Sequence, residues 1–301
     1  MNKKLYILLL TAAFGLASCG FEDTDIVYDY TSVMFPYQDY NRNIIVGEGL
    51  SLDLGVTFAG VINNKKDRLI NYTVDPTLIN DASKTPLPAG YYSCATSQII
   101  VPKNELKGYM RITLDSAAFL ADAKSLTGEF ILPVRLLESQ DVDSVSPYLG
   151  VIRIAISYYA RQHGYYTYSG SVTKGGAASV QYANNATLTD SRRFLNTVAP
   201  DRMRVVADAT NKDDPANGVY SFIVQAPVTG SGAVSIIADD ASPLEVKPDE
   251  ASSYDADTKT FTLNYSYTLT DGTACKVSET LVYRNRIRDV QPNGLYINEW
   301  R

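Results

Sequence analysis

The sequence predicts an all-β protein built as two consecutive modules. From about Tyr28 to the C-terminus, apolar and polar residues alternate at period two, the spacing that turns one face of a strand to a core. Clusters of Gly, Asn, Asp and Pro interrupt the alternation at short intervals, as turns between strands do. Tyrosine is abundant, with 22 residues against 9 Phe and 1 Trp. It suits pleated, half-buried surfaces and exteriors that are packed on one side and wet on the other.

Residues 28–160 form the first module. Val33 and Phe35 open it, and Leu50, Leu52, Leu54, Val56 and Phe58 alternate without a break. Ile70, Tyr72 and Val74 follow, then Met110, Ile112 and Leu114, then Phe130, Leu132, Val134 and Leu136, and finally Ile152, Ile154, Ile156 and Tyr158. Turns are expected at Val46–Gly49, Asn63–Lys66, Leu87–Gly90 and Asp141–Ser144, and a helical turn or two over Ser116–Ser125. About seven short strands in this length predict an immunoglobulin-like β-sandwich.

Tyr159–Gly164 reads as the junction, and residues 161–301 as the second module. Tyr165, Tyr166 and Tyr168 begin it, and short alternating pieces follow at Val180–Tyr182, Met203–Ala207, Val219–Gln225 and Val234–Ala238. Phe261, Leu263, Tyr265, Tyr267 and Leu269 run up to Asp271-Gly272, and Cys275, Val277, Glu279, Leu281 and Tyr283 run back. Asp-Gly between two such runs predicts a hairpin with a type I′ turn. About eight strands suit an up-and-down barrel or a second sandwich.

Ahead of both modules, Lys3-Lys4 and the apolar run Leu5–Leu16 have the layout of a secretory signal over residues 1–18, too short to span a bilayer as a mature helix. Leu16-Ala17-Ser18-Cys19 resembles the lipobox of bacterial lipoproteins, which implies cleavage before Cys19 and its lipidation. Two or three acyl chains hold a protein firmly where one holds only marginally. Residues 19–27 form an acidic leader, with Glu22, Asp23 and Asp25 close behind the Cys. In Bacteroidetes-type lipoproteins such acids resemble a surface-export signal, so the expected address is the outer membrane, lipid-anchored and facing the cell exterior.

The formal net charge is −6, and loss of Lys3 and Lys4 with the signal takes it to −8. That argues against nucleic acid, whose binding needs clustered cations. Besides Cys19, only Cys94 and Cys275 remain, one in each half, and two buried free thiols are expected rather than a bridge. No metal-site spacing appears, and no cofactor is expected. The lone histidine, His163, has no matched acid and nucleophile and reads as a polar linker residue. Asp213-Asp214 with Asn217-Gly218 offers oxygen ligands but misses the calcium-loop spacing, and a solvated turn is the better reading.

Arg192-Arg193, with Arg202 and Arg204, forms a basic cluster that reads as a solvated face balanced by acids, or as a contact for carboxylate or sulfate on a glycan. Trp300, the adjacent pair Tyr165 and Tyr166, and the pair Tyr91 and Tyr92 are the candidate sugar-stacking rings. Neighbours on a strand face opposite sides, so one ring of each pair is expected outward, against the alternative of core packing. Asp115-Ser116-Ala117 and Asp143-Ser144-Val145 are similar to a Bacteroidetes O-glycosylation sequon.

Ser32–Pro36, Tyr72–Pro76, Leu87–Tyr92 and Phe130–Val134 resemble the domain of unknown function at the N-terminus of many Bacteroidetes surface lipoproteins. That domain also precedes endo-N-acetylglucosaminidase-like enzymes and occurs beside polysaccharide-utilisation genes. Gly164–Gly170 and Phe261–Tyr265 are similar to its usual partner domain, which implies a lipocalin-like β-barrel. The length leaves no room for the large catalytic barrel of the enzyme-bearing members. The expected function is a non-catalytic, surface-anchored protein that binds glycan or oligosaccharide for polysaccharide capture. The alternatives are a structural or adhesin component with a protein partner, such as an outer-membrane transport or adhesion protein, and, less favoured, a glycoside hydrolase.

Overall fold

The computed structural model describes residues 30–184, 193–206, 220–290 and 296–300. Strand pairing divides them into two sheets, one ending at Tyr159 and the other beginning at Gly164.

The first sheet contains β1 (Ser32–Met34), β2 (Asp39–Ile45), β3 (Ser51–Ala59), β4 (Arg68–Val74), β5 (Thr85–Pro86), β6 (Tyr92–Cys94), β7 (Gln98–Val101), β8 (Lys107–Leu114), β9 (Phe130–Leu136), β10 (Ser144–Val145) and β11 (Val151–Tyr159). Strand β4 joins two layers. Its Arg68–Asn71 half pairs with β7, and its Tyr72–Val74 half pairs with β9. One layer runs β10-β1-β3-β8 with β6 and β7 beside β8; the other runs β4-β9-β11-β2. A strand that changes sheet in this way makes the corner of a sandwich.

The alternating residues are the core: Leu52, Leu54, Val56 and Phe58 of β3 face Met110, Ile112 and Leu114 of β8, and Ile152, Ile154 and Ile156 of β11 close the other side. Strand β9 departs from the one-face pattern, since Ile131 and Pro133 are buried as well as Leu132 and Val134. It is a central strand, with β11 along one edge and β4 and β5 end to end along the other. The expected helical turns are α1 (Ser116–Ala121) and α2 (Lys124–Thr127). Asp115 caps α1 by accepting from the Ala118 N–H at 2.8 Å.

Strand β2 lacks an apolar alternation over Asp39–Asn43, so sequence pattern alone passes over it. It is placed by a parallel ladder with β11, from Arg153 opposite Asp39 to Tyr159 opposite Ile45.

The second sheet contains β12 (Gly164–Lys174), β13 (Val180–Asn184), β14 (Arg193–Ala199), β15 (Arg202–Val206), β16 (Ser221–Gln225), β17 (Gly232–Ala238), β18 (Val246–Pro248), β19 (Ser252–Asp255), β20 (Thr260–Thr268), β21 (Ala274–Val290) and β22 (Tyr296–Trp300). The order β12-β14-β15-β16-β17-β19-β20-β21 is antiparallel throughout, and β21 returns to pair with β12. Eight up-and-down strands therefore close on themselves, and of the two architectures open to sequence, the second half takes the barrel. Closure leaves these strands without a free edge.

Rings fill the interior. Phe222 and Tyr265 lie 4.6 Å apart, Tyr254 and Phe261 4.6 Å, Tyr220 and Tyr267 4.7 Å, and Tyr166 and Tyr283 5.5 Å. Buried phenols find acceptors, as Tyr166 does on the Gln162 carbonyl at 2.7 Å. Much of the tyrosine that sequence assigns to wet surfaces is thus core, where a ring supplies area and its hydroxyl reaches a buried polar partner. Cys94 and Cys275 are free thiols, each in its own sheet.

The β20–β21 hairpin forms where expected but with a different turn. Only Gly272 has positive φ, at 86°. The Gly272 N–H bonds to the Leu269 carbonyl, and Leu269 N–H bonds to the Thr273 carbonyl, both at 2.9 Å. This is a three-residue loop closed by a glycine bulge; a type I′ turn needs two left-handed residues, and Asp271 is not one.

The two halves are tied by polar contacts. Asp289 of β21 is buried against the free edge of β2, where it accepts from the Asn43 N–H and from Arg42 Nη1, each at 2.8 Å. Burial pushes its carboxyl up, and the Asn43 hydrogen bond and the Arg42 charge pull it partly back. Gln162 Nε2 of the junction donates to the Pro227 carbonyl of the second half at 2.7 Å, and Gly47 of the first half packs so closely on the Val228 carbonyl that a Cβ would sit 2.9 Å from it.

Candidate functional site

The outer face of the β2–β11 pair forms the floor of a groove. Strand alternation that sends Ile154, Ile156 and Tyr158 inward sends Arg153, Ala155, Ser157 and Tyr159 the other way. Parallel pairing sets Asp39, Asn41 and Asn43 beside the first three of these. The segment from Ile79 to Lys84 and the end of α2 stand along the floor, and Ile287 and Arg288 of β21 close one end. Two hollows of about 360 Å³ each share Asn41, Lys84 and Ala155 and so form one continuous groove. Four residue steps from Asp39 to Asn43 give it a length of about 13 Å at the parallel-strand rise.

Its charged groups are engaged within the protein. Arg153 holds Asp39 through two bonds of 2.7 Å. Arg288 pairs with Glu299 at 3.2 Å and donates to the Asn43 carbonyl at 3.2 Å. Lys84 donates to the Gly128 carbonyl at 3.0 Å. Asp81 accepts from the Ser83 hydroxyl at 2.7 Å and its N–H at 2.9 Å; these bonds, with the nearby Lys84 charge, hold its carboxyl below the usual range.

Its neutral groups divide. Ser157 donates to Asn43 Oδ1, and Asn43 Nδ2 donates to the Arg288 carbonyl, so that pair is committed to the junction. The Asn41 and Asn80 amides and the Tyr159 hydroxyl have no hydrogen-bond partner among the described residues. The Tyr159 ring is stacked on His163 with centroids 3.8 Å apart and planes 7° from parallel. Burial raises the Tyr159 phenol, which keeps it protonated and a donor.

His163 is no solvated linker residue. It is buried, and its Nδ1 accepts from the Thr197 N–H at 3.2 Å and faces the Thr197 hydroxyl at 3.1 Å. Phe194 meets its ring edge-on at 5.1 Å, and Tyr165 packs on Phe194 at 4.7 Å. Tyr165 is therefore half-buried in an aromatic cluster beside the groove's Tyr159 end.

The other sequence candidates do not come together. Tyr166 is fully buried in the barrel, because its phase on β12 points inward, and it is removed as a surface ring. Tyr91 and Tyr92 are both half-buried against the sandwich core; Tyr91 packs edge-on to Phe130 at 5.7 Å, so neither is an outward platform. Arg193 is inside the barrel, paired with Glu279 at 3.0 Å, and so is unavailable to an anionic ligand. Arg204 is held by Asp239 at 2.6 and 3.0 Å, which agrees with a basic cluster balanced by acids. Arg192, Cys19 and residues 213–218 lie outside the described residues, as does the Trp300 side chain, whose backbone pairs with Asn285. The aspartates of the two sequon-like triplets are both engaged, Asp115 as the α1 cap and Asp143 as acceptor from the Thr31 N–H at 2.6 Å.

Two family models match the chain, one an N-terminal domain over residues 25–143 and the other a C-terminal domain over residues 152–282. No curated protein matches. A Bacteroides ovatus protein of unknown function, solved by crystallography, superposes with a TM-score of 0.68 at 20% identity, covering 91% of this chain and 98% of its own. That likeness shows the shared fold. An auxiliary nutrient binding protein from Bacteroides thetaiotaomicron matches at 14% identity and a TM-score of 0.43, over 82% of this chain and 92% of its own. The last likeness is too distant to carry a functional argument.

Proposed function

The chain belongs to the two-domain family that these N-terminal and C-terminal models describe, and from that premise we propose that it is a non-catalytic glycan-binding protein. The groove over β2 and β11 is its site. One observation carries the reading: a groove longer than a single sugar ring presents uncommitted amides and a phenol, Asn41, Asn80 and Tyr159. Amides and hydroxyls offer donors and acceptors together, as a sugar's hydroxyls require. The lining carboxylates, Asp39 and Asp81, are tied to Arg153 and Ser83, which suits binding better than general acid–base work. Isothermal titration of the mature chain against plant and host oligosaccharides tests this. Binding is expected for at least one of them, and weakened about 25-fold in the double variant Asn41→Ala/Asn80→Ala; silence of the whole panel would refute it.

The same proposal places the protein on the outer membrane through acyl chains on Cys19, reaching outward for polysaccharide. The lipobox-like Leu16–Cys19 supports it. Cys19→Ala is expected to shift the protein from the membrane to the soluble fraction, and persistence in the membrane would count against the anchor.

A protein partner is the second reading, favoured by an apolar row on the opposite layer. Leu69, Ile100 and Tyr109 pair across β4, β7 and β8 and are 38%, 43% and 61% exposed. A component of adhesion or transport machinery would cover such a row.

A further inference from the structure

We infer that the groove selects uncharged stretches of oligosaccharide and rejects chains bearing carboxylate or sulfate on the bound stretch. This deepens the groove-binding reading and rests on it.

The argument is the division of labour among the lining residues. Every charged side chain on the wall already has a protein partner: Arg153 on Asp39, Arg288 on Glu299 and the Asn43 carbonyl, Lys84 on the Gly128 carbonyl, and Asp81 on Ser83. The lining cations and acids balance locally once Glu299 is included. An incoming carboxylate or sulfate finds both guanidiniums already ion-paired, and the one ammonium, Lys84, bonded to the Gly128 carbonyl with its charge set against Asp81. Binding it would mean giving up the two-bond Arg153–Asp39 pair, or setting a second anion beside the Asp39 and Asp81 carboxylates. The first forfeits an existing attraction and the second adds a repulsion between like charges. Hydroxyl groups meet no such barrier, because Asn41, Asn80 and Tyr159 stand open to them and displace no existing bond.

The sequence offers the opposite preference only as the alternative reading of Arg192-Arg193, beside that of a solvated face balanced by acids. The geometry reverses it, because Arg193 is spent on Glu279 inside the barrel.

The test is titration of the mature chain with neutral gluco-, manno-, xylo- and galacto-oligosaccharides and with uronate-bearing and sulfated counterparts of equal length, at low and high salt. A neutral chain is expected to bind, with affinity indifferent to salt, and its charged counterpart at least about tenfold more weakly. Asn41→Ala, Asn80→Ala and Tyr159→Phe are each expected to weaken the neutral ligand about fivefold, the loss of one neutral hydrogen bond. The melting midpoint of each variant checks that it is folded. Preference for the acidic member, or affinity that falls as salt rises, would overturn the selectivity while leaving glycan binding intact. A neutral ligand that binds all three variants as tightly as the parent would overturn the assignment of the readers. Silence from every glycan would overturn the selectivity together with the groove reading beneath it.

Discussion

Lowering the pH from 6.5 to about 4.5 is expected to cost the fold roughly 2–3 kcal/mol through one side chain, His163. The imidazole is enclosed by Tyr159 and Phe194, and its Nδ1 already accepts from the Thr197 N–H. Burial pushes its pKa from 6.5 down to about 3, and the Arg286 charge adds to the push. A proton on Nδ1 would set two N–H groups against each other, and a cation there would lack a carboxylate partner. Between those two values the unfolded chain binds a proton that the folded chain refuses. Stability is therefore full above pH 6.5 and declines as the pH falls, until the folded imidazole itself takes the proton.

Other groups act elsewhere or with opposite sign. Hydrogen bonds and Arg111, Lys66 or Thr31 hold Asp53, Asp141 and Asp143 below the usual range, so their losses come at lower pH. Asp289, raised by burial, is protonated more readily folded than unfolded and favours the fold as the pH falls through its own pKa. Denaturant titrations at a series of pH values check the prediction. His163→Gln, less stable at neutral pH, is expected to lack the slope between pH 6.5 and about 4.5; an unchanged slope would refute the assignment.

Arg193→Ala is expected to destabilise the barrel by about 3–5 kcal/mol, the cost of leaving a buried charge without its partner. The Arg193 and Glu279 side chains are 6% and 0% exposed. Tyr182 and Tyr265 also donate to the Glu279 carboxylate, at 3.0 and 3.1 Å, and the Arg193 guanidinium lies 5.2 Å from the Tyr168 ring centre. Across from Glu279 on β12 sits Gly170, where a Cβ would lie 2.7 Å from the Glu279 Cβ. The glycine makes room for the carboxylate, and the carboxylate makes sense of the arginine. Replacing both ions, as Arg193→Met with Glu279→Met, is expected to recover most of the loss, less about 1 kcal/mol for each tyrosine hydroxyl left without an acceptor. A double-mutant cycle in urea measures the coupling, and additive single losses would show that the ions do not act as a pair.

The buried ion pair was partly visible in the sequence, whereas nothing in it marked His163 as buried. Glu279 keeps phase with Cys275, Val277, Leu281 and Tyr283, and a charged residue on the apolar phase of a strand signals a buried ion. Arg193 keeps phase with Leu195 in the same way. What misleads is adjacency, because Arg192-Arg193 looks like a surface cluster until the strand's facing is known. The groove was less visible. Its floor pairs two segments more than a hundred positions apart, and β2 carries polar residues where a strand would advertise itself by apolar ones. Ser157 and Tyr159 were legible only as the outward phase of β11, with nothing local to say that they border a groove rather than open solvent.

Residue pattern along the chain was enough for the all-β class and the two-part organisation, along with most of the buried residues in β3, β8, β11, β20 and β21. Those follow from period-two alternation, which depends only on a residue's neighbours along its own strand. The sequence also carried the lipobox-like Leu16–Cys19, a linear motif on which the proposed anchor rests. Tertiary structure alone decided that the second half closes into a barrel, because closure depends on β21 finding β12 across about a hundred residues. It decided, too, which tyrosines are core, that Arg193 faces inward, and that Asn41, Asn80 and Tyr159 stand together. Those outcomes depend on register between distant strands, where a shift of one residue reverses every side chain.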